Sequence, residues 1–280
     1  MDKGKLYLVA TPIGNLGDIS ARALQVLSEV NLIAAEDTRV SGRLLKAFEI
    51  KRPLISYYEH NKALRGQELL RRLKAGENIA LISDAGMPGI SDPGFDIVRL
   101  AISSGIETVI VPGPNAALSA LVLSGLDSSR FVFEGFLPRV SGKRRSALAV
   151  MAQEQRTMIF YEAPHRLLAT LTDMAHIFGE NRSAAAGREL TKLHEEMIRG
   201  SLAYLLDHFQ QFAPQGEFTL VIAGANPIEK PIPDKDILTN EMTSLINSGK
   251  RRKDAAKVLA IKYGMPVKSI YDLTLRKDLS

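Results

Sequence analysis

Over the first 115 residues, short apolar runs alternate with helix-length segments, and nearly every run stops at a cluster of glycine, proline or acidic residues. Residues 6–10 (Leu-Tyr-Leu-Val-Ala) end at Thr11-Pro12, where proline enforces a turn. Ser20 then sits where a helix N-cap belongs, ahead of Ala23, Leu24 and Leu27 at helical spacing. A second run, 32–35, closes on Glu36-Asp37-Thr38-Arg39, a third covers 53–57, and 64–73 reads as an amphipathic helix ending near Gly76. The run 79–82 stops at Ser83-Asp84-Ala85-Gly86-Met87-Pro88-Gly89, after which Asp92 caps a helix with Pro93 at its first position. The last run, 108–111, gives way to Pro112-Gly113-Pro114-Asn115 and an apolar, helix-like stretch at 116–123. Five nearly uninterrupted apolar strands alternating with helices predict a largely parallel sheet covered on both faces, in an α/β domain. Ligands bind such sheets beyond the carboxyl ends of the strands, and the chemically suggestive clusters lie there.

After Gly125 the pattern changes. Residues 131–136, 157–161, 184–189 and 218–223 read as strands, and 146–151, 167–177 and 201–212 as helices, giving a second α/β domain with longer, hairpin-like connections. Ala225-Asn226-Pro227, with Pro231 and Pro233 behind it, reads as a linker to three short helical segments at 237–246, 255–261 and 269–275. The expected division is 1–125, 126–227 and 234–280.

Charge is unevenly spread. Of the net +5, the segment 234–280 carries ten Lys and Arg against six Asp and Glu, or +4, which leaves +1 for the rest. A basic tail on a nearly neutral body fits contact with a polyanion as well as a solvated surface. Lys250-Arg251-Arg252-Lys253 opens the middle helix of that tail and suits RNA. The chain has no cysteine, which excludes disulfides, iron–sulfur clusters, thiolate zinc sites and cysteine nucleophiles, and agrees with a cytoplasmic setting. No stretch approaches the roughly 20 apolar residues of a membrane span, and the N-terminus lacks the apolar core of a secretory signal.

Common site signatures are missing. Gly14 and Gly17 follow the first strand and Glu36 ends the second, but the full G-x-G-x-x-G is absent and Pro12 stands in the turn, which argues against a dinucleotide site. None of the three Gly-Lys pairs completes a P-loop, and G-x-S-x-G and H-E-x-x-H do not occur. Five scattered histidines form no ligand pattern, so no metal is expected. The densest signal is 83–94, where Asp84, Gly86, Gly89, Asp92 and Gly94 crowd one loop. Glycines let backbone N–H groups approach a ligand, and a nearby acid accepts from an ammonium or a sugar hydroxyl. A capped helix explains Asp92 and Gly94, but Asp84-Ala85-Gly86 exceeds what a turn needs.

Seven stretches occur in an order that resembles the tetrapyrrole-methylase superfamily in its ribosomal RNA branch. They are Leu-Val-Ala-Thr-Pro-Ile-Gly-Asn-Leu-Gly-Asp (8–18), Ala-Ala-Glu-Asp-Thr-Arg (34–39), Ile-Ser-Asp-Ala-Gly-Met-Pro-Gly-Ile-Ser-Asp-Pro-Gly (82–94), Val-Pro-Gly-Pro-Asn-Ala (111–116), Glu-Gly-Phe-Leu-Pro (134–138), Phe-Tyr-Glu-Ala-Pro-His-Arg (160–166) and Arg-Glu-Leu-Thr-Lys-Leu-His-Glu (188–195). The resemblance spans about 1–225, and the basic helical tail is similar to the extension of that branch. It implies two α/β domains with S-adenosylmethionine folded into the cleft between them, usually in a homodimer. It also implies 2′-O-methylation of a decoding-site cytidine in 16S ribosomal RNA. Matched residue by residue, Pro12, Asp84, Ala85, Gly86, Ile90, Pro114 and Asn115 would line the methionine end. Leu137, Tyr161, Leu190, Glu217 and Thr219 would approach the adenosine. Met87 departs from the family, where threonine is frequent, so a hydroxyl contact is lost there.

Methyl transfer is an in-line displacement in which placing the acceptor oxygen is the main task. A ribose hydroxyl keeps its proton at neutral pH, so a base is needed nearby, and the candidates are Glu36, Asp37 and Glu189. Lys192, one turn from Glu189 if that segment is helical, could stabilise the developing alkoxide. Arg39, Arg166 and Arg188 could grip phosphates in bidentate fashion, or pair with acids across the domain interface. Two other functions fit parts of the sequence: a methyltransferase acting on a tetrapyrrole, which needs no basic tail, and a non-catalytic RNA-binding assembly protein, which needs no glycine-and-acid cleft.

Overall fold

The computed structural model describes residues 3–92, 94–226 and 233–275. The expected first-position proline, Pro93, and the linker residues Pro227 and Pro231 lie outside them. The chain divides into two compact units between Ala225 and Asn226.

The first unit holds two sheets. One is wholly parallel, in the order β3-β2-β4-β1-β5, from β1 (Leu6–Val9), β2 (Leu32–Ala35), β3 (Leu54–Ser56), β4 (Ile79–Ile82) and β5 (Thr108–Val111). Every residue of β2 and β4 is buried, as the continuous apolar runs require of strands covered on both faces. One face packs Leu6, Leu32 and Ile79 against Leu69 and Leu73 of α3 (Lys62–Lys74) and Ile97 of α4 (Gly94–Ser103). The other packs Val9, Ile33, Ile82 and Val111 against Leu27 of α1 (Ala21–Glu29) and Leu45 of α2 (Thr38–Ala47). Ser20 caps α1 through its hydroxyl, which accepts the Ala23 N–H at 3.1 Å. Helix α2 was not expected from the sequence. Asp37 caps it, accepting the Arg39 N–H at 2.8 Å, and it buries little beyond Ser41 and Leu45.

The second sheet is mixed, in the order β6-β7-β10-β8-β9, from β6 (Phe131–Phe136), β7 (Thr157–Glu162), β8 (Ser183–Arg188), β9 (Glu196–Ser201) and β10 (Phe218–Ile222). Only the β6–β7 pair is parallel. Strand β9 was not expected: its sequence Glu-Met-Ile-Arg-Gly-Ser buries only Ile198. One face is covered by α6 (Ser141–Val150), α7 (Pro164–Phe178) and α8 (Leu202–Gln211), with Leu148, Phe160, Leu171 and Leu220 at the centre. Helix α6 begins five residues before the expected 146–151, because Arg144 turns inward to an ion pair with Asp173 at 2.7 Å.

Helix α5 (Ala116–Ser124) joins the two sheets. It leaves β5 of the first sheet, yet its Ala117, Ala120 and Leu121 bury against Ile159, Leu190 and Val221 on the open face of the second. Ile13 of the first domain enters the same cluster. Full burial of a Leu, Ile or Val side chain contributes about 1.5–3 kcal/mol, so this shared core is a strong reason for 1–225 to form one unit.

The second unit is a helical module of α9 (Lys235–Asn247), α10 (Arg252–Tyr263) and α11 (Val267–Leu275), closed on Leu238, Met242, Ala255, Ala256, Leu259 and Ile270. Gly264 ends α10 in the left-handed region. Among the described residues, no helix is long and apolar enough to cross a membrane, and no group of three or more His, Asp and Glu could hold a metal ion.

Candidate functional site

The loops after β1, β2, β4 and β5 meet at the carboxyl edge of the first sheet and face the second. Thr11 and Gly86 exchange backbone hydrogen bonds at 2.9 and 3.1 Å, and the Thr11 hydroxyl donates to the Ser83 carbonyl at 3.1 Å. Gly86 sits at φ +80°, which suits glycine, so the loop after β4 turns back against the loop after β1. Asp84 fixes the third loop, its Oδ1 accepting the Asp37 N–H at 2.9 Å.

A cavity of about 390 Å³ opens between these loops and the second sheet, a size usual for a small-molecule site. Glu36, Asp84 and Asp92 line one part of it; Ile13, Phe136, Tyr161 and Leu190 give it apolar walls. Burial pushes the Glu36 carboxyl above the ordinary carboxylate range, and Asp84, Asp92 and Asp37 add to the shift. Burial does the same to Asp84 and to Asp92, although each accepts backbone N–H bonds that work the other way. Asp92 Oδ1 accepts from Gly89 and Gly94 at 2.7 and 2.8 Å, while its buried Oδ2 has no partner. Like-charged, partly desolvated carboxylates beside apolar walls fit an organic cation with a flat, apolar body.

Lys192 and Glu217 line the opposite wall, and Glu189, which does not itself line the cavity, pairs with Lys192. The segment between β8 and β9 is a turn and not a helix, with Glu189 at φ 47° and Thr191 at φ 66°. Such left-handed non-glycine residues are uncommon and concentrate at functional sites. Lys192 Nζ lies 2.9 Å from Glu189 Oε1 and 3.3 Å from Glu217 Oε2. Burial works against the Lys192 charge, but the two carboxylates outweigh it and raise its pKa. Burial would raise the Glu189 carboxyl, yet Lys192, the Glu217 N–H and Arg188 hold it below the usual range. Across the domains, a Cβ at Gly14 would stand 2.3 Å from Lys192 Cγ, so the first loop presses on this lysine.

Of the residues singled out on sequence, Glu36, Asp84, Ala85, Gly86, Ile90, Asn115, Tyr161, Leu190, Lys192, Glu217 and Thr219 line the cavity. Asn115 also caps α5, its Oδ1 accepting the Leu118 N–H at 3.0 Å. Pro12 is buried beneath the cavity loops, Pro114 lends its carbonyl to the surroundings of Gly86, and Leu137 is 5% exposed in the core of the second domain. Arg166 is held inside the second domain, 3.2 Å from Glu162 and donating to the Leu137 carbonyl at 2.7 Å. Arg188 donates to the Gln215 carbonyl and pairs with Glu196. Arg39 is 87% exposed and paired with Asp37, which holds that carboxyl near 2. In the helical module Lys250, Arg251 and Lys253 are exposed, and Arg252 donates to the Thr274 carbonyl at 3.0 Å. Sequence reasoning did not single out Phe136, Ser83 or Ile13 as cavity residues. Asp92 it explained as a cap alone, and only the spare oxygen of its carboxylate signals more.

Comparison with known proteins places these features. The profile of the Tetrapyrrole (Corrin/Porphyrin) Methylases matches residues 5–206. A protein of Synechocystis named "Ribosomal RNA small subunit methyltransferase I" is 51% identical over 98% of this chain and 99% of its own length. Proteins of the same name from Bacillus subtilis and Escherichia coli O157:H7 are 44% and 42% identical, over 97% and 99% of this chain and 94% and 96% of theirs. Among solved structures, a uroporphyrin-III-C-methyltransferase from Thermus thermophilus matches with a TM-score of 0.55 at 20% identity, over 79% of this chain and 94% of that one. Diphthine synthase matches with a TM-score of 0.60 at 15% identity, over 79% of this chain and 90% of that one. These two likenesses establish a shared fold.

Proposed function

The chain belongs to the ribosomal RNA small subunit methyltransferase I family of tetrapyrrole methylases, and on that premise we propose that it 2′-O-methylates the ribose of a decoding-site cytidine in 16S ribosomal RNA. The observation that carries this reading is the cavity whose carboxylates are raised by burial and mutual repulsion beside apolar walls. A cofactor with a sulfonium and an ammonium next to a planar adenine fits that division. S-adenosylmethionine supplies, when bound, an electrophilic methyl carbon for in-line attack.

The chain's own residues do the rest. Asp84, Glu36 and the backbone of Ala85 and Gly86 hold the cationic end, with Pro12, Ile90, Pro114 and Asn115 shaping the surrounding loops. Tyr161, Leu190, Thr219 and Glu217, the residue before β10, enclose the adenosine, with Leu137 behind them. Glu36 is the proton acceptor: it lines the cavity, and a raised pKa makes a carboxylate a better base at neutral pH. Lys192, fully charged, steadies the developing alkoxide. Glu189, with its lowered pKa and its contact to Lys192, acts by positioning that ammonium. Exposed cations, Arg39 at the cleft and Lys250, Arg251 and Lys253 in the helical module, hold phosphates. Arg166, Arg188 and Arg252 hold the backbone beneath them. We place the enzyme in the cytoplasm with its ribosomal substrate, as a homodimer.

The test is methyl transfer from labelled S-adenosylmethionine to small ribosomal subunits and to protein-free 16S RNA, followed by nucleoside analysis. 2′-O-methylcytidine is the expected product, with transfer declining as salt rises. Label on a base, or on a tetrapyrrole and not on RNA, overturns the assignment.

A further inference from the structure

The chain just after Phe136, which lines the cavity, carries a charged surface that the proposed function does not use. Residues 135–153 contain no Asp or Glu but four cations: Arg139, Lys143, Arg144 and Arg145. Arg144 is 5% exposed, and its pair with Asp173 of α7 fixes α6 in place. Arg139, Lys143 and Arg145 point the other way: all three are exposed, and none has an ion-pair partner among the described residues. Lys143 and Arg145 also stand early in α6, where positive charge runs against the helix dipole. Their charge works against the helix that carries them.

Directly before this segment, β6 has a bulge. The register with β7 shifts between Phe133 and Gly135, and Gly135 adopts φ +63° with its Cα face against the Ser91 hydroxyl of the first domain. A bulge re-aims the side chain that follows it. Here that side chain is Phe136, which lines the cavity while remaining 57% exposed, its ring 5.5 Å from that of Tyr161. An exposed aromatic ring backed by a second ring and flanked by unpaired cations has the makeup of a single-stranded nucleic-acid platform.

We propose that Phe136, Arg139, Lys143 and Arg145 form the platform that holds the RNA strand at the acceptor site, the ring stacking on a base next to the acceptor and the three cations contacting flanking phosphates. This rests on the RNA-methyltransferase reading, and assigns the grip on RNA at the cleft to the second domain, separately from the helical module. Single-stranded RNA is the occupant favoured by charge and by the ring: a duplex would engage the cations but hide its base faces from Phe136.

The experiment compares the full-length wild type with Phe136→Leu, Phe136→Trp and the triple variant Arg139→Gln, Lys143→Gln, Arg145→Gln. Cofactor affinity is measured by calorimetry; binding of protein-free 16S RNA and methyl transfer to it are measured across a salt series. The triple variant is expected to bind RNA at least tenfold more weakly at low salt, with the log–log salt slope reduced by about 1 for each cation removed. Phe136→Leu is expected to raise KM for RNA roughly tenfold with the salt slope unchanged, and Phe136→Trp to restore it, since stacking needs a ring and carries no charge. Cofactor affinity stays at the wild-type value in the triple variant, whose cations do not line the cavity, and falls less than RNA affinity in Phe136→Leu. A salt slope unaltered in the triple variant overturns the phosphate role. A loss of cofactor affinity in Phe136→Leu matching the loss in turnover assigns the ring to the adenine and overturns its stacking role. If the wild type itself transfers no methyl to RNA, the broader reading fails; variants equal to an active wild type defeat this inference alone.

Discussion

One carboxylate oxygen, Oε1 of Glu189, accepts both the Lys192 ammonium and the Glu217 N–H at 2.9 Å, and so ties a charged side chain to the residue just before β10. The Glu189 carboxyl also occupies the space beside Gly216, where a Cβ would stand 2.5 Å from it. Losing the ammonium and losing its holder therefore have different signatures. Lys192→Met removes the charge proposed to steady the developing alkoxide and is expected to lower kcat by roughly 100-fold or more. Glu189→Gln keeps a hydrogen-bond acceptor and is expected to lower kcat by about tenfold, an effect on placement. Neither changes cofactor affinity much. The pH–rate profile separates the roles: Glu189→Gln keeps the acidic limb of the wild type, and its disappearance would make Glu189 the base.

With Glu36 as the proposed base, the acidic limb is expected to report Glu36 and its neighbours. Their carboxyls are raised by burial first and by one another second. A carboxyl raised in the folded state binds protons that the unfolded chain releases, so its stabilising contribution is full below the unfolded pKa and is lost as pH rises through the folded one. Glu36→Gln is accordingly expected to raise Tm at pH 8, with the gain vanishing as the pH falls below the ordinary carboxylate range. Cofactor binding has the opposite sense, since a cation needs the ionised acids. Affinity for S-adenosylmethionine should fall on acidification while ordinary exposed carboxylates are still charged. Binding near that pH should release protons, measurable as a dependence of the calorimetric heat on the buffer's ionisation enthalpy.

Gly14 supplies a steric test of the same wall. Its φ is not in the left-handed region, so alanine costs it no backbone strain; the obstacle is contact, with Lys192 Cγ at 2.3 Å, Thr191 Oγ1 at 3.0 Å and the Leu190 carbonyl at 3.2 Å. Gly14→Ala must push the 190–192 turn outward. Overpacking of this kind costs about 1–3 kcal/mol, seen as a lower Tm. Displacing Lys192 by about 1 Å should reduce kcat by on the order of 100-fold. An unchanged kcat with a lowered Tm would show that the lysine need not be held there.

What could be read from the sequence follows from how each element is buried. Strands β2 and β4 are covered on both faces, so they appear as unbroken apolar runs, and the turn clusters after them lead straight to the cavity. Helix α2 and strand β9 bury one or two side chains each, too few to leave a period in the sequence. The turn at 189–194 has helical spacing between Glu189 and Lys192, and only its left-handed residues distinguish it from a helix. Arginines were the least legible. Arg39, Arg144, Arg166 and Arg188 look alike in sequence, but one faces solvent, one anchors a helix and two hold backbone carbonyls. Which of these an arginine does depends on partners far along the chain, such as Gln215 for Arg188.

The Arg144–Asp173 pair tests how the helix proposed to face RNA is held. Its side chains are 6% and 11% exposed, Nη2 and Nε both approach Oδ2 at 2.7 Å, and the pair joins α6 to α7. Removing one partner of such a pair leaves a buried charge uncompensated, so Arg144→Met is expected to cost about 3–5 kcal/mol. The double variant Arg144→Met, Asp173→Leu removes both charges and should recover most of that loss, because burial of an ion pair contributes little over an apolar replacement. Denaturant unfolding of the two variants checks the sign of the coupling. RNA affinity should follow stability: weakened in the single variant, where α6 loses its anchor, and largely restored in the double variant, where apolar packing again fixes the helix bearing Lys143 and Arg145. Restored stability with RNA affinity still lost would mean that Arg144 itself reaches the RNA.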